Sequence, residues 1–357
     1  MRPTQALIDL AALKHNIHIA RQHAPQSKIM AVVKADAYGH GAVSVARAIT
    51  NEVEAFAVCC IEEAIELRQA RIQQPILILE GFFETNELPL IQQYDLQTVV
   101  QHPFQVDILR AAQLRKPLAV WLKIDTGMGR LGFLPPDFSK AWQQLNDIQY
   151  IVKPIKLMTH LACADELDQP MTLQQIQQFS QLIQTYETEK SIANSAGILS
   201  WPQAHTDWNR MGIMLYGASP FEQSCNLQAV MQLQSELISV KHYAKGQTVG
   251  YGATWQCEQD SIIGIVAIGY ADGYPRHAPS GTPVLVNGQR VPLVGRVSMD
   301  MIAVGLTQQT QAKVGDKVIL WGNDLAVEEI ATCAGTISYE LLTHVNKRVP
   351  RNIINSY

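Results

Sequence analysis

The sequence predicts an α/β fold: an N-terminal (β/α)₈ TIM-type barrel over residues 1–225, followed by a mostly β C-terminal domain over residues 226–357. Three observations predict it. Short apolar, β-branched runs recur through the first two-thirds of the chain, and strands buried on both faces read as such continuous runs. Helix-period segments separate most of them, and eight such units fit a barrel of ~250 residues. Beyond about residue 225 the segments shorten and turn signals multiply. An open doubly wound sheet is the alternative, but no GxGxxG follows the first strand of the alternating region.

The elements follow in order. QALIDL (5–10) precedes the barrel and is a candidate to pair with the C-terminal domain. The eight barrel strands are IMAVVKA (29–35), AFAVCC (55–60), ILILEG (76–81), LQTVV (96–100), AVWLKID (119–125), KLMTHLA (156–162), SIANSA (191–196) and DWNRMG (207–212). The last is the least regular, because Asn209 and Arg210 are polar. Helical periodicity marks 61–71, 103–114 and 173–187. In the second domain, strand-like runs at 237–244, 261–268, 282–287, 291–297 and 317–322 are punctuated at Lys245-Gly246, Asn287-Gly288 and Gly322-Asn323. Asn-Gly between alternating runs is a strong hairpin signal.

Composition narrows the function classes. With 47% apolar and 17% charged residues, the chain is an ordinary globular one. Its net charge of −4, without runs of like charge, argues against nucleic-acid or anionic-membrane binding. No apolar stretch is long enough to span a bilayer, and the N-terminus lacks a signal-peptide core, so a cytoplasmic location is expected. Six cysteines form no CxxC pair and are expected to be free, mostly buried thiols. No metal is expected: there is no HExxH, and His15 and His18 on a helix face find no third strong ligand.

In a (β/α)₈ barrel, chemistry gathers where strands end and loops begin. Lys34, in VVKADAYGHG, is either a snorkelling rim lysine or an amine tuned by burial for Schiff-base chemistry. KIDTGMGRLG holds Lys123, Asp125 and Arg130; Arg130 could clamp a carboxylate or pair with Asp125. His160, Asn194, Ser195 and Arg210 fall at successive strand ends, and polar groups on several strands at one rim point to a shared site. The Ser195 hydroxyl and the Gly212 and Ile213 amides suit a phosphate. Tyr251, between two glycines in VGYGATW, is a packing residue unless it faces chemistry.

With these residues assembled, the chain resembles alanine racemase, a pyridoxal-phosphate (PLP) family, over nearly its whole length. AVVKADAYGHG carries the resemblance most specifically. KIDTGMGRLG, NSA, NRMGIMLYG, YGATW, GYADGY, GRVSMDM and TISYELL follow in the family's order, and AVCCIEEAIELRQA is most similar to the catabolic members from Gram-negative bacteria. The resemblance implies that Lys34 holds PLP covalently and that Tyr251 is the second acid/base group. It implies Tyr38, Ser195, Gly212, Ile213 and Tyr339 as the phosphate cradle, Arg210 facing the pyridine nitrogen, and His160 linking Arg210 toward the tyrosine; Asn194 joins the cofactor-binding set. Arg130 and the Met299 backbone would contact the substrate carboxylate, Tyr270 and Tyr339 would narrow the entrance, and Lys123 would be a carbamylation site. Some members carry a histidine where this chain has Ser191.

The implied activity is interconversion of L- and D-alanine by a homodimer in which Tyr251 of one subunit faces Lys34 of the other. Two groups are needed because a proton must leave one face of Cα and return to the opposite face. A tyrosine base needs nearby positive charge, for which His160 and Arg210 are the sequence candidates. Arginine cannot accept a pyridinium proton, which favours racemisation over transamination. Two rivals share the barrel lysine: another PLP enzyme of the same architecture, such as an amino-acid decarboxylase or a broad-specificity racemase, and a non-enzymatic PLP carrier, which would lack a second domain.

Overall fold

The computed structural model describes residues 2–221 and 225–355; residues 1, 222–224 and 356–357, which include both chain ends of the division above, lie outside the described residues. After β1 (Gln5–Asp9), eight parallel strands close a barrel: β2 (Lys28–Val32), β3 (Ala55–Val58), β4 (Ile76–Ile78), β5 (Gln97–Val100), β6 (Val120–Lys123), β7 (Lys156–Met158), β8 (Lys190–Ser191) and β9 (Trp208–Met211). Closure is made by β9 on β2, with Met30 opposite Arg210. The polar-looking eighth barrel strand is a strand after all, and all four of its residues are buried.

Most of the strands are shorter than their apolar runs. The run 29–35 leaves the ladder at Val32, 156–162 at Met158 and 191–196 at Ser191. Beyond those points the chain leaves the ladder at the barrel rim while much of it remains buried, as at Val33, Thr159, Leu161, Ile192 and Ala193, so apolar composition outlasts β-pairing. Lys34 is consequently not a strand residue but heads the turn beyond β2. Helices Ile61–Gln69, Pro103–Ala111 and Met171–Ile183 occupy three of the segments with helical periodicity.

The N-terminal end of the barrel is plugged. Lys28 and Lys156 each lie 5.0 Å from the Trp208 ring centre, and Lys156 also covers Trp121 at 5.1 Å. Glu189 joins the two lysines. Burial opposes its charge, but the hydrogen bonds from Lys156 and Lys28 outweigh that and hold its carboxyl at about 2. A carboxyl lowered by folding stabilises the fold above its unfolded value of ~4.3 and loses that contribution as pH falls toward 2. Glu189→Gln should therefore lower stability at neutral pH by about 1 kcal/mol. Urea melts of both proteins should converge between pH 4.5 and 2; a constant gap would mean that the charge contributes nothing.

The second sheet has the order β13-β16-β15-β14-β17-β10-β1-β18, formed by β10 (Met231–Tyr243), β13 (Ser261–Val266), β14 (Pro283–Val286), β15 (Gln289–Val294), β16 (Ile302–Gly305), β17 (Lys317–Trp321) and β18 (Arg351–Ile354). A small ribbon of β11 (Thr248–Val249) and β12 (Trp255–Gln256) stands apart. Strand β1 lies antiparallel to β10 and parallel to β18, so the first strand of the chain is built into the C-terminal sheet. Asn287 and Gly288 turn β14 into β15 with φ of +50° and +80°, the left-handed pair that a tight hairpin requires. Sequence periodicity did not announce β16, β18 or the helices Val327–Ala334 and Ser338–His344.

Among the described residues the cysteines form no disulfide, but only Cys257 is buried and the others are half-buried, contrary to the expected mostly buried set. Among the described residues no helix is long and apolar enough to cross a membrane, and no cluster of three His, Cys, Asp or Glu residues could hold a metal ion.

Candidate active site

A cavity of about 620 Å³ opens at the C-terminal ends of the barrel strands. The structure brings most of the sequence-derived residues to its wall: Lys34, Tyr38, Lys123, Arg130, His160, Asn194, Ser195, Arg210, Gly212, Ile213 and Tyr339. Tyr251, Tyr270 and Met299 are not on that wall. They stand in the C-terminal domain with exposures of 68%, 39% and 53%.

The turn after β2 positions two of these groups. Residues Ala35, Asp36, Ala37 and Tyr38 all have φ of +52° to +53°, a left-handed turn without a glycine. Each such residue costs on the order of 1–2 kcal/mol, so the surroundings must over-determine the shape. The Asp36 carboxylate accepts from Ala42 N at 2.8 Å. His40, fully buried, directs Nδ1 at the carbonyls of Ala37 and Tyr38, 3.0 and 2.9 Å away. Both partners are acceptors, so Nδ1 carries the proton, and burial pushes the imidazole down to about 4, leaving it neutral. Tyr216 stacks between the rings of His40 and Tyr38 and donates to Val32 O at 2.8 Å. A Cβ on Gly39 would lie 2.2 Å from Leu342 O, so only glycine lets the C-terminal helix that carries Tyr339 seat against this turn.

Across the cavity, Ser195 Oγ accepts the Gly212 and Met214 amides at 3.1 and 3.3 Å. A Cβ on Gly212 would sit 3.0 Å from Tyr38 Oη and 3.6 Å from Ser195 Oγ. Two hydroxyls and a glycine therefore converge on a small concavity, beside a 3₁₀ turn whose first N–H groups have no helical partner. Asn194 caps the following short helix through Gly197 N, at 2.9 Å.

Arg210 is buried inside the barrel and anchored there: Nη1 donates to Ser191 Oγ at 2.6 Å, and Nη2 to the carbonyls of Thr159 and Ile192 at 2.7 and 3.1 Å. Ser191 thus fills the place behind Arg210 and keeps the guanidinium anchored. Arg210 Nη2 also lies 3.2 Å from His160 Nδ1, which must accept because the guanidinium only donates. Burial, with Arg210, Lys123, Arg130 and Lys34 nearby, holds His160 well below its usual range. His160 is therefore neutral, and of the two sequence candidates only Arg210 brings positive charge.

Asp125 does not pair with the Arg130 side chain. Burial works against its charge, but N–H groups of Gly127, Gly129 and Arg130, at 2.9–3.1 Å, hold it ionised and shape the loop. No ion pair among the described residues engages the Arg130 guanidinium. Lys123, also buried, is lowered to about 8 by burial first and then by Arg210 and Arg130. Four cationic side chains line the cavity against the carboxylates of Glu80 and Glu340, which suits an anionic occupant. Sequence reasoning missed Glu80, Ile337 and Glu340 on the wall, and His40 and Tyr216 behind it; only HG of the AYGHG motif hinted at His40.

Known proteins resemble the chain over nearly its full length. The family model described as alanine racemase, N-terminal domain, matches residues 8–220, and that described as alanine racemase, C-terminal domain, matches residues 230–353. The chain is 51% identical to the catabolic alanine racemase of Pseudomonas putida and 51% identical to the alanine racemase of Pseudomonas taetrolens, each over 99% of both chains. The crystal structure of biosynthetic alanine racemase from Pseudomonas aeruginosa is similar with a TM-score of 0.97 and 47% identity, over 99% of this chain and 100% of that one.

Proposed function

The chain belongs to the alanine racemase family of isomerases, and on that premise we propose that it interconverts L- and D-alanine with PLP held covalently by Lys34. The observation that carries this reading is the barrel-end cavity, where an amine, a hydroxyl-lined concavity and a wall of cations converge. The residues fit PLP. Tyr38, Ser195, Gly212, Ile213 and Tyr339 would hold its phosphate, and Arg210 would face its ring nitrogen, with Asn194 and His160 alongside. When bound, PLP supplies an electron sink that makes the alanine Cα–H acidic.

The chain's own groups do the rest. Arg130, free of an ion pair, would clamp the substrate carboxylate in a bidentate fork, with the Met299 backbone as a second contact. The Lys34 amine would move the proton on one face of Cα, and the Tyr251 phenol on the other. Arg210 remains charged even though burial lowers it to about 10, so it has no acceptor for a ring proton.

Tyr251 must come from a second copy. It is 68% exposed and absent from its own barrel's cavity. The loop of Tyr270 is laced to that of Met299 by Tyr270 N to Ser298 O and Ala271 N to Met299 O, both 3.0 Å. A Cβ on Gly252 would lie 3.1 Å from Arg296, which puts the Tyr251 turn beside the same segment. Exposed Tyr251, Tyr270, Met299 and Met301 thus share one face, as a partner-binding surface would. We assign this face to a homodimer in which Tyr270 and Tyr339 narrow the entrance to each shared site.

The test is incubation with L-alanine while optical rotation and carbon dioxide are followed. Decay of rotation to zero supports the reading. Carbon dioxide release would mark a decarboxylase, and PLP binding without turnover a carrier.

Lys123 carries a separate prediction. At about 8, its amine is neutral in roughly a tenth of molecules at pH 7, and only a neutral amine adds carbon dioxide. The resulting carbamate would be an anion between Arg130 and Arg210. We expect a carbamylated Lys123 by carbon-13 NMR under labelled bicarbonate; an unmodified amine there would refute it.

A further inference from the structure

We infer that Glu63 is a positioning residue for Lys34, acting through the left-handed turn on which Lys34 stands. Glu63 sits in the first turn of the helix Ile61–Gln69, three residues after its N-cap, Cys60. A glutamate there ordinarily reaches back to the N-cap amide of its own helix. Glu63 does not. Its Oε2 accepts from Cys59 N at 2.7 Å, one residue further back, and its Oε1 accepts from Ala35 N, also at 2.7 Å, in a different strand-end turn. The carboxylate therefore ties the end of β3 to the peptide bond that follows Lys34.

That bond matters for two reasons. The Ala35 amide belongs to the Lys34–Ala35 peptide, so fixing it fixes the direction in which the Lys34 side chain leaves the backbone. Ala35 is also the first of the four left-handed residues, and on its own an alanine relaxes out of that region. The later residues of the turn have other anchors: Asp36 through Ala42, Ala37 and Tyr38 through His40, and Gly39 O through Arg351 Nε at 3.1 Å. Glu63 holds the one residue adjacent to the lysine. Both of its acceptor bonds lie at the half-exposed rim, where water can replace them, so its loss should disturb geometry more than stability. Misplacement of a reacting group by ~1 Å can cost ~10²-fold in rate.

The inference rests on the proposed role of Lys34, and the experiment separates the two. Glu63→Gln keeps the shape but turns one oxygen into a donor facing an amide donor. In the full chain as purified, deuterium exchange at the Ala35 amide should accelerate at least ~10-fold, because its hydrogen bond is lost. The kcat for alanine should fall ~10–100-fold with little change in KM, while the thermal midpoint hardly moves. Adding Ala35→Gly should raise kcat several-fold in the Gln background but not in the wild type, since glycine reaches positive φ without a clash. Unchanged exchange would overturn the inference. So would faster exchange with a lowered melting point and unaltered kcat, which is a structural role only, or a fall in kcat that glycine does not relieve. If the wild type proves not to carry PLP on Lys34, the proposed function fails, while the exchange measurement still decides whether Glu63 clamps the turn.

Discussion

Replacing Lys34 by alanine should remove racemisation almost entirely, with a loss greater than the ~10²–10⁴-fold of a single acid/base group. On the proposed mechanism two functions would go at once: the covalent attachment of PLP and the proton transfer on one face of Cα. The fold should survive, because Lys34 is half-buried at the barrel rim and makes no ion pair. Borohydride reduction of the wild type followed by peptide mapping should find the cofactor on VVKADAYGHG. Lys123 is the informative control. It lines the same cavity and burial lowers its amine to about 8, but it is buried at the end of β6 within the field of the Arg210 and Arg130 guanidinium groups. An adduct on Lys123, or on no lysine, would defeat the assignment of Lys34.

The barrel was legible because its strands are apolar on both faces, a pattern that few other elements share. The polar rim residues were legible for the opposite reason: a lysine, an arginine or a histidine beside an apolar run needs an explanation. What remained hidden depends on contacts between distant segments. Nothing in Lys34-Ala35-Asp36-Ala37-Tyr38 signals four left-handed residues; alanine favours a right-handed turn, and here the turn is hydrogen-bonded by Glu63 and Arg351 from elsewhere in the chain as well as by the neighbouring His40. Likewise His160 looks like a source of positive charge in sequence, and only its burial beside Arg210 makes it neutral. Strand β18 offers only two adjacent apolar residues, Ile353 and Ile354, too few to read as a run, and it is fixed by pairing with β1 across nearly the whole chain length.

The second large effect concerns Tyr251. Tyr251→Phe should cost ~10²–10⁴-fold, since on the proposed mechanism it would remove the proton donor on one face and leave the ring in place. That result alone cannot say whose barrel the tyrosine serves, but a mixture of two inactive proteins can. Combine Lys34→Ala chains with Tyr251→Phe chains in equal amounts and let subunits exchange. In either parent dimer every site lacks one of the two groups. In a mixed dimer with shared sites, one site joins an intact Lys34 to an intact Tyr251, and the other has neither. Random pairing makes about half the dimers mixed, so about a quarter of all sites should regain activity. If Tyr251 instead folded over its own barrel, every site in the mixture would keep one lesion and mixing would restore nothing. The exposure of Tyr251, away from the cavity of its own chain, favours the first outcome. Absence of recovery after exchange has been demonstrated by mass would refute the shared site and return Tyr251 to a role within one subunit.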